Sequence, residues 1–596
     1  MVFSCRRNSY SLAAALAAAI FAIASGGMAH ANISISTAPT SNMSCSAGVC
    51  TATAINATLN ASDLQSMLAS GSTAIRTGTL AASIYVNAPF TWISANMLTL
   101  DAKRSVIVNK AVTDNGAGGL TIVLNDGGKG GVFSFGGVGS ISFLGTSNAI
   151  TINGASYTLV SSIASLASAI AANSSGNFAL SRSYNATPDG TYATSPIPTA
   201  YSGNLQGFGN TISHLKISDA TEYDNVGLFS DLQAGGSIGN LKMTAVSIGS
   251  GAHKALGGLV AVNGGLLFDV SVTGTVRAGS AANAGEVAGT NNGTIISSHA
   301  AGSLLDTATT SGGLLGGLAG YNTGSIESSD SSADVTSVYG YGGGFVGYMT
   351  GGTVTSSSAT GVVSANVGGG LIGYLSSGSV TGSHAGGNVT ASEGGGFAGG
   401  LDTGAQITNC YSTGNVTSTF TGGAAVGGFV GSNRGTISGS FAAGTVINET
   451  TELGSSAGGF VGYEDKDGII ENSYATGSAS GAYYVGGFVG KTTNLPNSSD
   501  TISDSYSTGS ATSGTSDGGF VGFNQYPAGQ DYANAYWDTT TSGTALGIGS
   551  GNAAPITGQT TAQLQSGLPA GFSSSIWGEN GSINGGLPYL LANPPP

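Results

Sequence analysis

Short apolar runs broken by Gly, Asn and Asp set the pattern of this chain. Between residues 83 and 152 they read Ser83-Ile84-Tyr85-Val86, Met97-Leu98-Thr99-Leu100, Ser105-Val106-Ile107-Val108, Leu120-Thr121-Ile122-Val123-Leu124, Val132-Phe133-Ser134-Phe135, Ser140-Ile141-Ser142-Phe143 and Ala149-Ile150-Thr151-Ile152. Brief runs rich in β-branched and aromatic residues, bounded by turn formers, predict strands. Two stretches predict helices instead. Ser62-Asp63 can cap a helix through Leu64, Met67 and Leu68 that ends at Gly71, and Ser162 can cap another with Ile163, Leu166 and Ile170 on one face.

Beyond about residue 201 the pattern becomes periodic. Gly-Gly-Phe-Val-Gly stands at Gly427–Gly431, Gly458–Gly462, Gly486–Gly490 and Gly518–Gly522. With Leu or Val allowed at the Phe position the series is Leu228, Leu259, Val287, Leu318, Phe345, Leu371, Phe397, Phe429, Phe460, Phe488, Phe520, in steps of 26 to 32 residues. A period of that size carried by Gly, Val, Ser and Thr points to stacked β-coils and away from helical-pair repeats. Each unit reads as three short strands. In the copy from Gly427 these are the phrase itself, Gly435 to Ala442, and Gly444 to Ile447. The Phe and Val of the phrase are expected to stack inward, and the glycines to take corner dihedrals that a Cβ forbids.

The fold class is therefore all-β: a right-handed parallel β-helix, or β-solenoid, of about three short strands per 26–32 residue coil. Open coil ends expose strand edges and need caps. Residues 32–200 are read as irregular coils and an N-terminal cap with one or two short helices. Residues 201–530 form the repeat solenoid, and residues 531–596, which hold Tyr536-Trp537-Asp538 and Trp577, form the C-terminal cap.

Composition agrees with a packed solenoid. Glycine supplies 102 of 596 residues and only 7% are charged, yet 40% are hydrophobic, so a core can be buried. Residues 1–31 read as a signal peptide: Arg6-Arg7, an apolar run from Leu12 to Ala24, and Met28-Ala29-His30-Ala31 with cleavage after Ala31. No later run of about 20 apolar residues would span a bilayer as a helix. The processed chain would carry 13 basic and 29 acidic residues. Affinity for nucleic acid comes from basic side chains that displace counterions from phosphates, so nucleic acid is excluded as a partner.

Cys45 and Cys50 enclose four residues and could close a small disulfide loop. Cys410 has Ser440, Ser473 and Ser505 as its counterparts in later coils, which favours a small packed thiol over a reactive one. The clustered Cys or His ligands of a zinc site are not in the sequence, and no metal or cofactor is expected.

At these residues the chain resembles the GLUG-motif repeats of bacterial secreted proteins. The likeness runs from about Tyr201 onward and includes Gly203-Asn204-Leu205-Gln206-Gly207-Phe208-Gly209-Asn210-Thr211-Ile212-Ser213, the Tyr-Ser-Thr-Gly phrases at Tyr411 and Tyr506, and Tyr536-Trp537-Asp538. The stretch from Leu98 to Tyr201 is similar to segments of filamentous-haemagglutinin-like adhesins. These resemblances imply a right-handed parallel β-helix, exported and acting at the cell surface or outside it. A two-partner secretion domain is not recognisable after residue 31, and the 76 residues after Phe520 are too few for an autotransporter barrel. An outer-membrane secretion partner and a periplasmic home both stay open.

The repeat lets one register be followed from coil to coil: Ser271, His299, Asp330, Ser358, His384, Tyr411, Phe441, Tyr474, Tyr506. Ser271, His299 and Asp330 have the order of a hydrolase triad but lack a strained nucleophile turn and an oxyanion hole, so a polar ladder is the default. If the small residues Ser440 and Ala442 face inward, then Tyr411, Phe441, Tyr474 and Tyr506 form an outer stripe able to hold a sugar or a partner protein. The competing reading packs those rings inward or under loops. Glu464-Asp465-Lys466-Asp467-Gly468 lacks the ligand spacing of a calcium loop, and the phrase lacks the Lys-Ser/Thr ending of a phosphate loop. With acids scattered and no catalytic residues to name, the chain is expected not to be an enzyme. It is expected to be an exported adhesin-like or structural β-helix that presents a surface to an unknown glycan or protein. A β-helix polysaccharide lyase or hydrolase and a passive spacer are the alternatives.

Overall fold

The computed structural model describes residues 32–596 apart from 220–223, 250–253, 280–281, 308–311, 419–422, 451, 494–500 and 527–531. The predicted signal peptide, with its boundary at Ala31, lies outside the described residues. The chain winds as a β-solenoid of about 17 turns. In the repeats the strands pair in parallel with their counterparts one coil on, as in Val430, Val461, Val489 and Val521, so they form a solenoid and not a barrel. Among the described residues no helix is long and apolar enough to cross a membrane.

The predicted N-terminal strands form at Ser83–Val86, Met97–Asp101, Val106–Val108, Gly119–Val123, Phe133–Phe135, Ser140–Phe143 and Ala149–Ile152. They stack in register, with Ile33 beside Ile84, Ile84 beside Val106 and Val106 beside Phe133. Two helices interrupt them, Ala61–Ser70 and Ile163–Ala172. The first is capped by Asn60, two residues before the expected Ser62. Asn60 Oδ1 accepts from the Ser62 and Asp63 amides at 2.8 and 3.4 Å, because Asn at a non-helical position can satisfy amides that lack intrahelical partners. Ser162 caps the second through a reciprocal arrangement with Ser165, and Ile163, Leu166 and Ile170 are its buried face.

In the repeats the phrase residues make the core. Phe397, Phe429, Phe460, Phe488 and Phe520 are wholly buried and stack with centroids 4.7–4.9 Å apart. Each such contact contributes about 0.5–1.5 kcal/mol beyond burial. The glycines before each Phe answer a close approach, not an unusual dihedral. A Cβ on Gly427 would stand 2.0 Å from the Val430 carbonyl oxygen, where the chain folds tightly around Phe429. Left-handed corners do exist, but they fall elsewhere, at Ser297, Ser328, Ser356, Asn409, Asn472 and Asp504, with φ of 48–54°. Ser, Asn and Asp tolerate that conformation through local hydrogen bonds.

Directly after each of those corners runs an interior hydroxyl ladder. The Ser329 amide donates to Ser357 Oγ at 3.3 Å and the Ser357 amide to Ser383 Oγ at 3.1 Å. Cys410 occupies one rung: the Ser383 amide donates to its Sγ at 3.4 Å and its own amide donates to Ser440 Oγ at 3.2 Å. Burial pushes its thiol up to about 12. Cys45 and Cys50 are disulfide-bonded across the hairpin of Met43–Ser46 and Val49–Ala52.

The C-terminal residues do more than cap an end. Tyr532–Asp538 completes the coil of the last phrase on Thr501–Ser507, and Ile548–Gly551 and Ile556–Gln559 build one further coil on Val521–Asn524 and Tyr532–Asp538. Only after it does the chain turn back along the side of the solenoid. Asn593 Nδ2 donates to the carbonyls of Cys410 and Gly439 at 2.9 and 3.1 Å, so the tail retraces several coils.

Candidate functional site

The register followed in the sequence is the register of the fold. Ser271 pairs with His299, and the line continues through Asp330, Ser358, His384, Tyr411, Phe441 and Tyr474 to Tyr506. Its neighbours Ser440 and Ala442 are buried in the coil interior, so this line of side chains points outward by strand alternation. His299 Nδ1 and Asp330 Oδ2 meet at 2.5 Å as an exposed pair. The aspartate raises the imidazole above its ordinary range, with burial opposing it.

The late, aromatic part of this line is corrected by the structure as a ligand-binding stripe. Its rings stack, Tyr411 on Phe441 at 5.0 Å, Phe441 on Tyr474 at 4.9 Å and Tyr474 on Tyr506 at 5.2 Å. Yet Phe441, Tyr474 and Tyr506 are 2%, 1% and 0% exposed. The returning tail covers them with Phe572, Trp577 and Leu590. Tyr506 donates its hydroxyl to the Pro588 carbonyl at 2.5 Å, which fixes the tail over the column. Tyr411 is half-buried at the margin of the cover, stacked on His384 at 4.8 Å.

A second outward line is half-buried. The residue that follows each repeat phrase forms the register Tyr321, Tyr348, Tyr374, Gly400, Ser432, Tyr463, Lys491, Phe523. Tyr321 stacks on Tyr348 at 6.2 Å and Tyr348 on Tyr374 at 5.3 Å. Tyr341 from the neighbouring strand meets Tyr348 and Tyr374 edge-on at 5.1 and 5.5 Å. Past the gap, Lys491 Nζ lies 5.5 Å from the Tyr463 ring centroid and Phe523 stacks on Tyr484 at 4.6 Å.

Geometry makes the gap the informative place. Rings stacked along the solenoid hide their faces against one another and show only edges to solvent. The column stops after Tyr374, whose ring leans over the buried Gly400, and resumes at Tyr463. Three coil steps separate them, about 14 Å at ~4.8 Å per step. Gly400 and Ser432 supply the floor. A Cβ on Gly400 would lie 2.7 Å from the Tyr374 ring and 2.9 Å from Glu393 Oε1, so glycine lets both side chains lean over this coil.

Charged groups gather at the same place. Arg434 donates from Nη2 to Asp465 Oδ2 at 2.5 Å and from Nε at 2.6 Å, and its Nη1 lies 3.8 Å from Asp402. The Asp465 bond holds Arg434 firmly protonated. Burial alone would raise Asp465, but the Lys466 amide, Arg434 and Thr493 outweigh it and hold the carboxyl low. Glu393 goes the other way. Burial raises its carboxyl, with Asp402 adding to the shift and Ser432 and Arg434 opposing it. Tyr374 is raised by burial and by its hydrogen bond to Asp402.

The sequence held a signal for this site. Aromatic residues recur directly after the phrase, at Tyr321, Tyr348, Tyr374, Tyr463 and Phe523, one strand before the Tyr411 register. The charged members carried no comparable mark, because Glu393, Asp402 and Arg434 come from different coils. No group of three or more His, Cys, Asp or Glu able to hold a metal ion occurs among the described residues.

Comparison with known families identifies the repeat. The GLUG motif matches at residues 311–336 and 391–417, each about one coil in length. No curated protein matches the chain. GLUG repeats on a β-solenoid fit a surface or structural β-helix protein.

Proposed function

We propose that the protein is exported, works at or outside the cell surface as an adhesin-like β-helix, and binds carbohydrate in the gap between Tyr374 and Tyr463. One observation carries this reading: the outward, half-buried aromatic column breaks at Gly400 and Ser432, where Glu393, Asp402 and Arg434 gather. Sugar recognition needs a flat apolar face for the C–H side of a pyranose and fixed polar groups for its hydroxyls. The gap combines the two. Excess negative charge on the chain disfavours polyanionic glycans and favours neutral or amino sugars.

Cleavage of a glycan at the same place is the second reading, and the raised carboxyl of Glu393 favours it, since a general acid is held protonated by burial. Two carboxylates with separate roles are the usual requirement. Here Arg434 engages both Asp402 and Asp465, and Glu393 is hydrogen-bonded to Ser432, so no second carboxylate is placed to act as base or nucleophile and binding is the stronger reading.

A glycan array probed with the wild type and with Tyr374→Ala tests both readings. Binding of neutral or amino glycans that falls at least tenfold in the variant supports the site. Binding that is absent, or equal in the two proteins, refutes it, and release of reducing ends from a bound glycan would replace binding by cleavage.

A further inference from the structure

Phe133–Phe135 is the last strand of its five-stranded sheet, so one row of its backbone groups has no strand to pair with. Side chains from the repeat solenoid meet that row instead. Asn240 Nδ2 donates to the Phe133 carbonyl at 3.2 Å, and the Asp269 carboxyl accepts from the Phe135 amide. Side chains cover an edge less fully than a strand does. A cavity of about 390 Å³ is left between the sheet edge and the repeats.

Its walls are apolar, chiefly Ile107, Leu124, Phe133, Phe135 and Phe268, and Asp269 is the one ionisable group among its lining residues. Asp269 sits at a left-handed corner with φ of 49°, which aims its carboxyl back at the sheet edge. Burial raises the Asp269 carboxyl, and the Phe135 amide and the more distant Lys242 offset this only in part, while the Lys242 ammonium donates to the Gly137 carbonyl at 3.2 Å. The positive charge of Lys242 nearby disfavours a cationic ligand. A neutral hydroxyl can still donate to Asp269, because a carboxylate accepts several hydrogen bonds.

We infer that this junction cavity is a binding site for a small, neutral aromatic alcohol, its ring held among Phe133, Phe135 and Phe268 and its hydroxyl donating to Asp269. The site is independent of the Tyr374 gap. It lies where two packed units meet, a common location for ligand cavities of this size and composition.

Saturation-transfer NMR and calorimetry with 2-naphthol and naphthalene test it. The wild type should bind 2-naphthol saturably and at least tenfold more tightly than naphthalene. Asp269→Asn, which tolerates the same backbone corner, should remove that preference, and Ser134→Trp at the cavity wall should weaken both ligands at least tenfold with the thermal transition retained. Absence of saturable 2-naphthol binding, equal affinity for the two compounds in the wild type, or affinity unchanged in folded Ser134→Trp would overturn the inference.

Discussion

Trp577 donates its indole N–H to Asn472 Oδ1 at 3.2 Å, across 105 residues of chain. Asn472 is one of the left-handed corners, and Trp577 packs over Tyr474 and Tyr506 with ring centroids 6.0 and 5.9 Å away. A repeat corner thus anchors the tail that seals the aromatic column.

Trp577→Ala should release the tail without unwinding the coils. Loss of a buried Trp costs about 3–5 kcal/mol, enough to open a segment otherwise held by a few hydrogen bonds such as those of Pro588 and Asn593. Limited proteolysis should then cut beyond residue 560, and a hydrophobic dye should bind the uncovered column. Unchanged cleavage and dye signal would show that the tail does not depend on this anchor.

Thiol counting checks both cysteine assignments. The processed, unreduced protein should give no reaction with a thiol reagent when folded and one thiol per chain in denaturant, from Cys410. Cys410→Ser should cost only about 1 kcal/mol, the scale of one hydrogen bond, because serine fills the same rung in adjacent coils. A reactive thiol in the folded protein would contradict the burial that pushes Cys410 up to about 12.

Glu286 gives a pH dependence of known sign. It is wholly buried, neither carboxyl oxygen has a hydrogen-bond partner within the described residues, and burial holds its pKa well above the ordinary value, offset only in part by the nearby Ser303 amide. The folded state therefore keeps this proton at pH values where the unfolded chain has lost it. Stability is fully present below the ordinary Glu range and falls as pH rises through the folded pKa. Glu286→Gln should flatten that decline in thermal or denaturant melts. An identical slope in the variant would show that Glu286 is not buried in its neutral form.

The coil period, the register and the inward Phe column were legible because they rest on residues that repeat at one spacing. Direction was legible too: Ser440 and Ala442 point in, so Tyr474 and Tyr506 point out. Their burial was not, since it depends on Trp577, Pro588 and Asn593, which lie roughly 70 to 180 residues further along and carry no repeat. The role of glycine was half legible. Its recurrence marked the tight fold around each Phe, but the reason is a carbonyl close to where a Cβ would be, which only coordinates reveal. The gap at Gly400 and Ser432 escaped notice for a similar reason, because a site defined by two missing rings becomes visible only when the flanking tyrosines are in register.

Ser432→Tyr tests the gap most directly. It keeps Tyr374, Tyr463 and Arg434, pairs in register with Tyr463, and completes the column across part of the opening. Calorimetry with a glycan bound by the wild type should show affinity lost at least tenfold in Ser432→Tyr and unchanged in Tyr411→Ala, with both variants folded. Affinity retained in Ser432→Tyr, or lost in Tyr411→Ala, would contradict the account and return the binding surface to the stripe beneath the tail.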